Sequence, residues 1–175
     1  MVPRSFPIWQ LNERGAGLGG GNHATRVKRF VAFLSDWGSW YFEVPVAPSR
    51  RGGDWSRPRH KVDAVCVLGA ESQVLPPVKW ADSSWTEDIG CEAFENEKVA
   101  LVEVKTRPLS HNALGQLITY EEEFASNWGC EVDSCWVVCT EATDELIEIY
   151  NGEGISVVIM PWGSYDPGDW EFFEA

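Results

Sequence analysis

The stretch VALVEVKT, residues 99–106, has the apolar composition of a buried β-strand and yet carries two charges. Side chains alternate between the two faces of a strand, so Glu103 and Lys105 share one face while Val102 and Val104 share the other. An interior strand normally excludes charge, because burying an unpaired charge is costly. We therefore expect Glu103 and Lys105 to be stabilised by each other and by further polar groups in a site.

A second predicted strand, KVDAVCVL over 61–68, carries Asp63 on the same face as Lys61. If the two strands pair, Asp63 and Glu103 converge with Lys105 beside them. Two crowded carboxylates repel each other, and a divalent cation removes that cost; oxygen ligands of this kind suit Mg²⁺ or Mn²⁺. The sequence predicts such a cation here, although a salt-bridged edge strand would explain the same charges without a metal.

Hydrophobic periodicity predicts an α/β sandwich. The predicted elements are a helix over 23–36 capped by Asn22, strands over 39–46, 61–68 and 99–106, a helix over 112–126, a strand over 133–140, a helix over 143–151 and a strand over 154–161. Three successive strands favour a meander, and the strand–helix–strand units that follow favour parallel strands added to one mixed central sheet flanked by helices.

The chain length of 175 residues is typical of one domain, which we place at 22–161. Residues 1–21 are glycine-rich and predicted to be a flexible segment. Residues 70–98 read as an insertion loop, and residues 162–175 as an acidic, aromatic C-terminal tail. No long uncharged apolar run predicts a membrane span, and the N-terminus lacks the apolar block of a signal peptide.

Five cysteines occur without the pair spacing of a zinc finger, and three of them fall in predicted strands. Buried thiols in a reducing compartment are the simplest interpretation. We therefore expect an intracellular protein of the cytoplasm, nucleoid or nucleus, or of a host cell if the protein is viral. The cysteines are Cys66, Cys91, Cys130, Cys135 and Cys139.

The net charge of −13 is unevenly distributed along the chain. Residues 1–61 hold ten basic and four acidic residues, a balance of +6, whereas residues 62–175 hold four basic and 23 acidic residues, a balance of −19. A basic loop therefore leads directly into the Asp63 strand, where arginines and lysines could bind phosphates, although an ordinary solvated loop would have the same composition. The predicted nucleic-acid contacts are Arg50, Arg51, Arg57, Arg59, Lys61 and Arg107.

The segments KVDAVCVL and VALVEVKTRPLSHNALGQLITY together resemble the PD-(D/E)XK nuclease superfamily, especially its RecB-like and Cas4-like branches. Those proteins carry an aspartate in one strand, E-x-K in the next and Q-x-x-x-Y on the following helix, here Gln116 and Tyr120. The predicted order of elements also matches the superfamily's restriction-endonuclease-like αβββαβ core. The proline that precedes the aspartate in the superfamily's name is replaced by Val62.

The resemblance implies a metal-dependent nuclease that hydrolyses phosphodiester bonds, with DNA a better substrate candidate than RNA. It implies Asp63, Glu103 and the backbone carbonyl of Val104 as ligands of Mg²⁺ or Mn²⁺. Lys105 would be the catalytic lysine. The implied catalytic set is Asp63, Glu103, Lys105, Gln116 and Tyr120.

Some relatives, and viral cap-snatching RNA endonucleases, add a histidine from the first helix as a metal ligand, and His23 stands in the corresponding place. Imidazole favours Mn²⁺ over Mg²⁺, and a partly buried helix-start histidine is the alternative. Glu43 is either a site residue or a strand-surface charge. The cysteine spacing does not fit the iron–sulfur cluster of Cas4-like enzymes, so no cluster is expected.

Two other functional classes stay open at this point. One is a catalytically inactive nucleic-acid-binding or interaction protein on a nuclease-like scaffold, and the other is an acidic protein that mimics nucleic acid. The basic N-terminal third speaks against the second. The sequence leaves the oligomeric state open, a homodimer included, and predicts no membrane partner.

Overall fold

The computed structural model describes residues 22–46, 60–74 and 93–175. The predicted flexible segment 1–21 lies outside these residues, as do Cys91, most of the predicted insertion and the predicted phosphate contacts of the basic loop. Those contacts are Arg50, Arg51, Arg57 and Arg59.

Three helices and seven strands make up the described residues. The helices are α1 (Asn22–Phe33), α2 (His111–Trp128) and α3 (Asp144–Gly152), with short 3-10 turns at Ser35–Trp37 and Pro167–Asp169. The strands are β1 (Gly38–Pro45), β2 (Lys61–Leu68), β3 (Gln73–Val74), β4 (Lys98–Val104), β5 (Glu131–Cys139), β6 (Ile155–Ile159) and β7 (Glu171–Phe173).

All seven strands form one mixed sheet in the order β3-β1-β2-β4-β5-β6-β7. Strands β1, β2 and β4 pair antiparallel as a meander, β4, β5 and β6 are parallel, and β7 returns antiparallel to β6. The predicted αβββαβ order and mixed central sheet are therefore confirmed. Strand β4 lies in the middle of the sheet, so the interpretation of Glu103 and Lys105 as the charges of an edge strand is wrong.

Helices cover both faces of the sheet because alternate residues of the central strands are apolar on each side. On one face, Leu117 and Phe124 of α2 belong to the same buried cluster as Leu101 of β4. On the other face, Phe30 of α1 is buried in a cluster with Val102. The two clusters follow the period of two along β4, as expected for a central strand buried on both sides.

The boundaries of the first helix differ from the prediction. Asn22 is the first residue of α1 rather than its cap, and its side-chain Oδ1 accepts a hydrogen bond from the Tyr165 hydroxyl at 3.0 Å. The helix ends at Phe33, and Ser35–Trp37 form a 3-10 turn that leads into β1.

The prediction of a separate C-terminal tail over 162–175 is wrong. Strand β7 joins the sheet, and Trp170 is 6% exposed. Its ring centroid lies 6.3 Å from that of Phe30 and 5.5 Å from that of Phe33. The acidic residues of this segment indicated a solvated tail. Glu171 does stay exposed, but the neighbouring aromatic groups supply the buried contact.

The predicted insertion over 70–98 is also partly wrong. Its described ends belong to the domain: β3 pairs parallel with β1, and Lys98 already begins β4. Phe94 is fully buried, and its ring centroid lies 5.6 Å from that of Phe124 and 5.0 Å from that of Trp128. Aromatic burial again outweighed a polar, irregular local sequence.

The prediction of buried strand cysteines is confirmed. Cys66, Cys135 and Cys139 are buried free thiols in β2 and β5. Burial raises the pKa of each to about 12, so all three stay protonated at neutral pH. None of the described helices combines the length and the apolar character needed to cross a membrane.

We expect Trp170→Ala to destabilise the domain by about 3–5 kcal/mol, since it empties a buried aromatic site. Phe172→Ala, in the strand that begins directly after Trp170, is the matched control, because Phe172 is 37% exposed and its loss should cost much less. Urea unfolding monitored by circular dichroism measures both. Equal, small effects would contradict the integration of residues 170–173 into the fold.

Candidate active site

The predicted site residues meet where β2 begins and β4 ends. The antiparallel pairing of these strands stops at Ala64 and Val102. Beyond that point the Asp63 side chain replaces the missing partner strand: its Oδ2 accepts a hydrogen bond from the Val104 backbone N–H at 2.7 Å. Asp63 thereby satisfies a backbone donor that the open ladder would leave unpaired.

Glu103 and Lys105 form a nearly buried ion pair on the α2 face of the sheet. Lys105 Nζ lies 2.6 Å from Glu103 Oε1, and the two side chains are 16% and 6% exposed. Lys105 also donates to Gln116 Oε1 at 3.1 Å. The expectation that Glu103 and Lys105 stabilise each other is confirmed.

Helix α2 supplies two neighbouring polar groups to this pair. Gln116 Nε2 donates to the Tyr120 hydroxyl at 2.5 Å and to Glu103 Oε1 at 3.4 Å. Residues four apart lie one above the other on a helix, which places Gln116 and Tyr120 together over Glu103. Burial, the largest cause, raises the pKa of Tyr120, so its hydroxyl stays protonated and can donate.

Glu103 is the group with the highest electrostatic cost in the site. Burial, followed by the charge of Asp63, raises the pKa of Glu103 to about 7, although Lys105 acts in the opposite direction. Its second oxygen, Oε2, is buried and has no hydrogen-bond partner among the described residues. A buried carboxylate oxygen without a donor is costly, and it is an acceptor ready for a cation.

His23 reaches the site from α1, on the opposite face of the sheet. Its Nε2 lies 3.1 Å from Asp63 Oδ2. The hydrogen bond to Asp63 raises the pKa of His23, with smaller contributions from the charges of Glu43 and Glu103 and partial opposition from burial. The first helix therefore brings its N-terminal histidine to the same aspartate that accepts the hydrogen bond from the Val104 N–H at the end of β4.

Glu43 adjoins the site through an unusual backbone conformation. Its neighbours Phe42 and Val44 pair with Ala64 and Val62, so Glu43 stands opposite Asp63 in the sheet register. Its φ of 54° is in the left-handed region, which is strained for a residue with a side chain.

Lys61 was predicted to contact phosphate. In the structure its Nζ lies 3.3 Å from Glu43 Oε2, so the lysine balances a site carboxylate from β1. Arg107, another predicted phosphate contact, has an exposed side chain just after β4. Its backbone carbonyl accepts from the Thr140 N–H at 3.3 Å and so fixes the turn that carries it.

Sequence reasoning did not single out His60 as a site residue. Its Nδ1 lies 3.5 Å from the Tyr120 hydroxyl, and the two ring centroids are 5.9 Å apart. The signal available in the sequence was its place in the basic loop immediately before the Asp63 strand.

The residues brought together are two carboxylates, one histidine, one lysine and the pair from α2. Among the described residues, no three histidine, cysteine, aspartate or glutamate side chains are grouped as a ready-made metal centre. The side chains that could hold a cation are Asp63 and Glu103, with His23 already bonded to Asp63. The unpartnered Glu103 Oε2 and the hard oxygen character of both carboxylates fit Mg²⁺ or Mn²⁺.

Comparison with known proteins adds little to this geometry. No protein-family model and no curated protein matches the sequence. The chain is similar to the crystal structure of a repair endonuclease from Pyrococcus abyssi, with a TM-score of 0.38 and 15% identity. The similarity covers 67% of this chain and 36% of that one, so the chain spans about a third of the length of that protein.

The raised pKa of Glu103 predicts a pH-dependent loss of stability in metal-free buffer. A carboxyl whose pKa is about 7 when folded and 4.5 when unfolded destabilises the fold progressively between those values, and fully above pH 7. Glu103→Gln removes this cost and keeps an acceptor for Lys105. The stability of the variant relative to the native protein should therefore rise by on the order of 2 kcal/mol between pH 5 and pH 8.

Thermal unfolding at the two pH values measures this effect. The Tm advantage of Glu103→Gln should grow by about 4 to 8 °C from pH 5 to pH 8. The matched control is Glu131→Gln, because Glu131 is 63% exposed and pairs with Lys98 at the surface. Tm curves of the native protein and Glu103→Gln that run parallel with pH would contradict the assignment.

Proposed function

We propose that this chain is a divalent-metal-dependent nuclease of the PD-(D/E)XK type, with DNA as the first substrate to test and RNA as the second. The observation that carries the proposal is the buried Oε2 of Glu103, which lies near Asp63 and has no hydrogen-bond partner among the described residues. A buried carboxylate beside a second, partly buried one is costly, and a cation between them at the strand ends would offset that cost.

In this proposal Asp63 and Glu103 hold the metal, with the Val104 carbonyl as a further oxygen ligand. The metal would supply positive charge to the phosphate and acidify a bound water. Asp63 is held in place by the Val104 N–H, so its carboxylate is oriented before any ligand arrives.

Lys105 is the proposed catalytic cation. An ammonium has three donors, and among the described residues Lys105 directs two of them to Glu103 and Gln116. The third can reach a phosphate oxygen or orient the attacking water. Gln116 and Tyr120 are proposed positioning residues, because they hold Lys105 and Glu103 from α2.

His23 is the proposed nitrogen ligand. In the metal-free protein a proton lies between Nε2 of His23 and Oδ2 of Asp63 in a hydrogen bond of 3.1 Å, and this bond raises the pKa of His23. A divalent cation shared by the two side chains would replace that proton. A neutral imidazole ligand would favour Mn²⁺ over Mg²⁺.

Cleavage assays test the reaction itself. The protein is incubated with single-stranded, duplex and branched DNA, and with RNA, in Mg²⁺ or Mn²⁺. Asp63→Asn and Lys105→Met should each lower the cleavage rate by about 100-fold or more, since they remove charge at the reacting phosphate.

The matched controls change the same charges elsewhere in the sheet. Asp133→Asn on β5 and Lys98→Met on β4 alter exposed residues and should leave cleavage unchanged. Cleavage that persists in both site variants would refute the mechanism. Absence of cleavage with every substrate and metal would favour the alternative, an inactive nucleic-acid-binding protein.

Metal titration tests His23 separately. Isothermal titration of the metal-free protein should show that His23→Ala weakens Mn²⁺ binding by about tenfold or more and weakens Mg²⁺ binding less. His111→Ala is the control, because His111 is an exposed histidine at the start of α2. Mn²⁺ affinity that is the same in His23→Ala and the native protein would exclude His23 as a ligand.

A further inference from the structure

A tryptophan stands out from the surface at the end of β6. Trp162 is 70% exposed, far more than the other large apolar side chains among the described residues. Tryptophan combines a large apolar ring with a polar N–H and is enriched at binding interfaces. Two residues separate it from the end of β6, so it is carried on a short connection rather than within an element.

Trp162 is held from beneath by a buried arginine. Arg26 of α1 is fully buried, and its Nη1 and Nη2 donate to the carbonyls of Met160 and Pro161 at 2.5 and 3.3 Å. Its Cζ lies 5.6 Å from the centroid of the Trp162 ring. The Arg26 guanidinium therefore contacts three consecutive residues, and the last of them carries the exposed ring.

Burying the Arg26 charge in this way has a cost in free energy, which binding of a ligand by the Trp162 ring would offset. Arg26 forms no ion pair with a carboxylate among the described residues, and its Nε is buried without a hydrogen-bond partner. A buried charge compensated only by carbonyls and a ring is expensive. The contacts give the protein a fixed orientation of Trp162, and a fixed aromatic surface loses little conformational entropy when it binds a ligand.

The exposed ring lies at the same end of the central strands as the candidate active site. Arg26 follows His23 by three residues on α1, about 4.5 Å along the helix axis. The Lys105 N–H bonds to the Val138 carbonyl at 2.7 Å, and the Met160 N–H bonds to the Cys139 carbonyl at 2.8 Å. The ends of β4, β5 and β6 are thus adjacent, with Glu103 at one side and Trp162 at the other.

A second arginine–aromatic pair extends this surface. Arg29, one helical turn after Arg26, has its Cζ 5.7 Å from the centroid of the Tyr165 ring. The chain thus presents an exposed aromatic face next to a cation that can meet a phosphate. Alternation of aromatic faces and cations is what a flexible nucleic-acid strand requires, since every base can stack and every linkage is charged.

We propose that Trp162 is a stacking platform for an unpaired nucleobase of the strand whose phosphate lies at Asp63 and Glu103. The proposal rests on the proposed nuclease function and specifies the substrate: a nucleic acid with at least one base outside a double helix. Bases inside a duplex have both faces covered by their neighbours, so a blunt duplex offers Trp162 only the outer faces of its two terminal base pairs.

Equilibrium binding tests this without relying on cleavage. A fluorescein-labelled single strand of about 15 nucleotides is titrated with the full chain in EDTA and followed by fluorescence anisotropy. Trp162→Ala should weaken binding about 5- to 150-fold, the effect of losing one base–aromatic stack. Trp162→Phe should retain most of the affinity. A blunt duplex, made by annealing the unlabelled complement to the same strand, should bind more weakly and respond less to either change.

Phe172→Ala is the matched control, because it removes another exposed aromatic side chain of the described residues, at the β7 edge of the sheet. It should leave strand affinity unchanged, and a thermal melt of each variant checks that the fold is intact. Equal affinity of Trp162→Ala and the native protein would overturn the platform. A loss as large in Trp162→Phe as in Trp162→Ala, or no measurable binding by the native protein, would overturn it too.

The two proposals can fail separately. Binding that depends on Trp162, together with no cleavage in Mg²⁺ or Mn²⁺, supports the platform and refutes the nuclease. Cleavage that depends on Asp63 and Lys105, together with strand binding that is indifferent to Trp162, supports the nuclease and refutes the platform.

Discussion

The burial of Glu103 beside Asp63 is the constraint on which the rest of the site depends. Two carboxylates in a poorly solvated place repel each other, and the cost appears as the raised pKa of Glu103, about 7. Lys105 offsets part of it through the contact between its Nζ and Glu103 Oε1, and the second Glu103 oxygen stays unpartnered among the described residues. The local structure thus leaves one buried carboxylate oxygen without a donor in the described part of the chain, and a divalent cation would supply its missing partner.

The fold surrounds Glu103 and Asp63 with side chains that come from both faces of the sheet and meet at one end of the central strands. Helix α2 covers one face and places Gln116 and Tyr120 over the Glu103–Lys105 pair. Helix α1 covers the other face, and His23 in its first turn reaches Asp63. Antiparallel pairing of β2 with β4 stops at this point, and the space normally filled by backbone is taken by side chains.

Local patterns were sufficient for much of this structure. Alternation along 101–105 correctly placed Glu103 and Lys105 together, because a strand allows its side chains only two directions. The spacing of Gln116 and Tyr120 correctly placed both on one side of α2, because the helical period aligns residues four apart.

Local patterns failed where long-range packing decides. The acidic end of the chain predicts a solvated tail, but the burial of Trp170 against Phe30 and Phe33 makes it a strand of the sheet. The contact between His60 and Tyr120 joins residues sixty positions apart, and no periodicity reports such a distance.

By itself the sequence determined the order of elements, the alternation that buries both faces of β4, and the charged residues that share a side. These follow from the geometry of the backbone and from the separation of apolar and polar groups along it. Only the tertiary structure decided that β4 is central, that Glu103 loses its solvent, and that Arg26 holds Trp162 at the site edge. Burial and electrostatic cost depend on which distant residues exclude water, and that information exists only once the chain has folded.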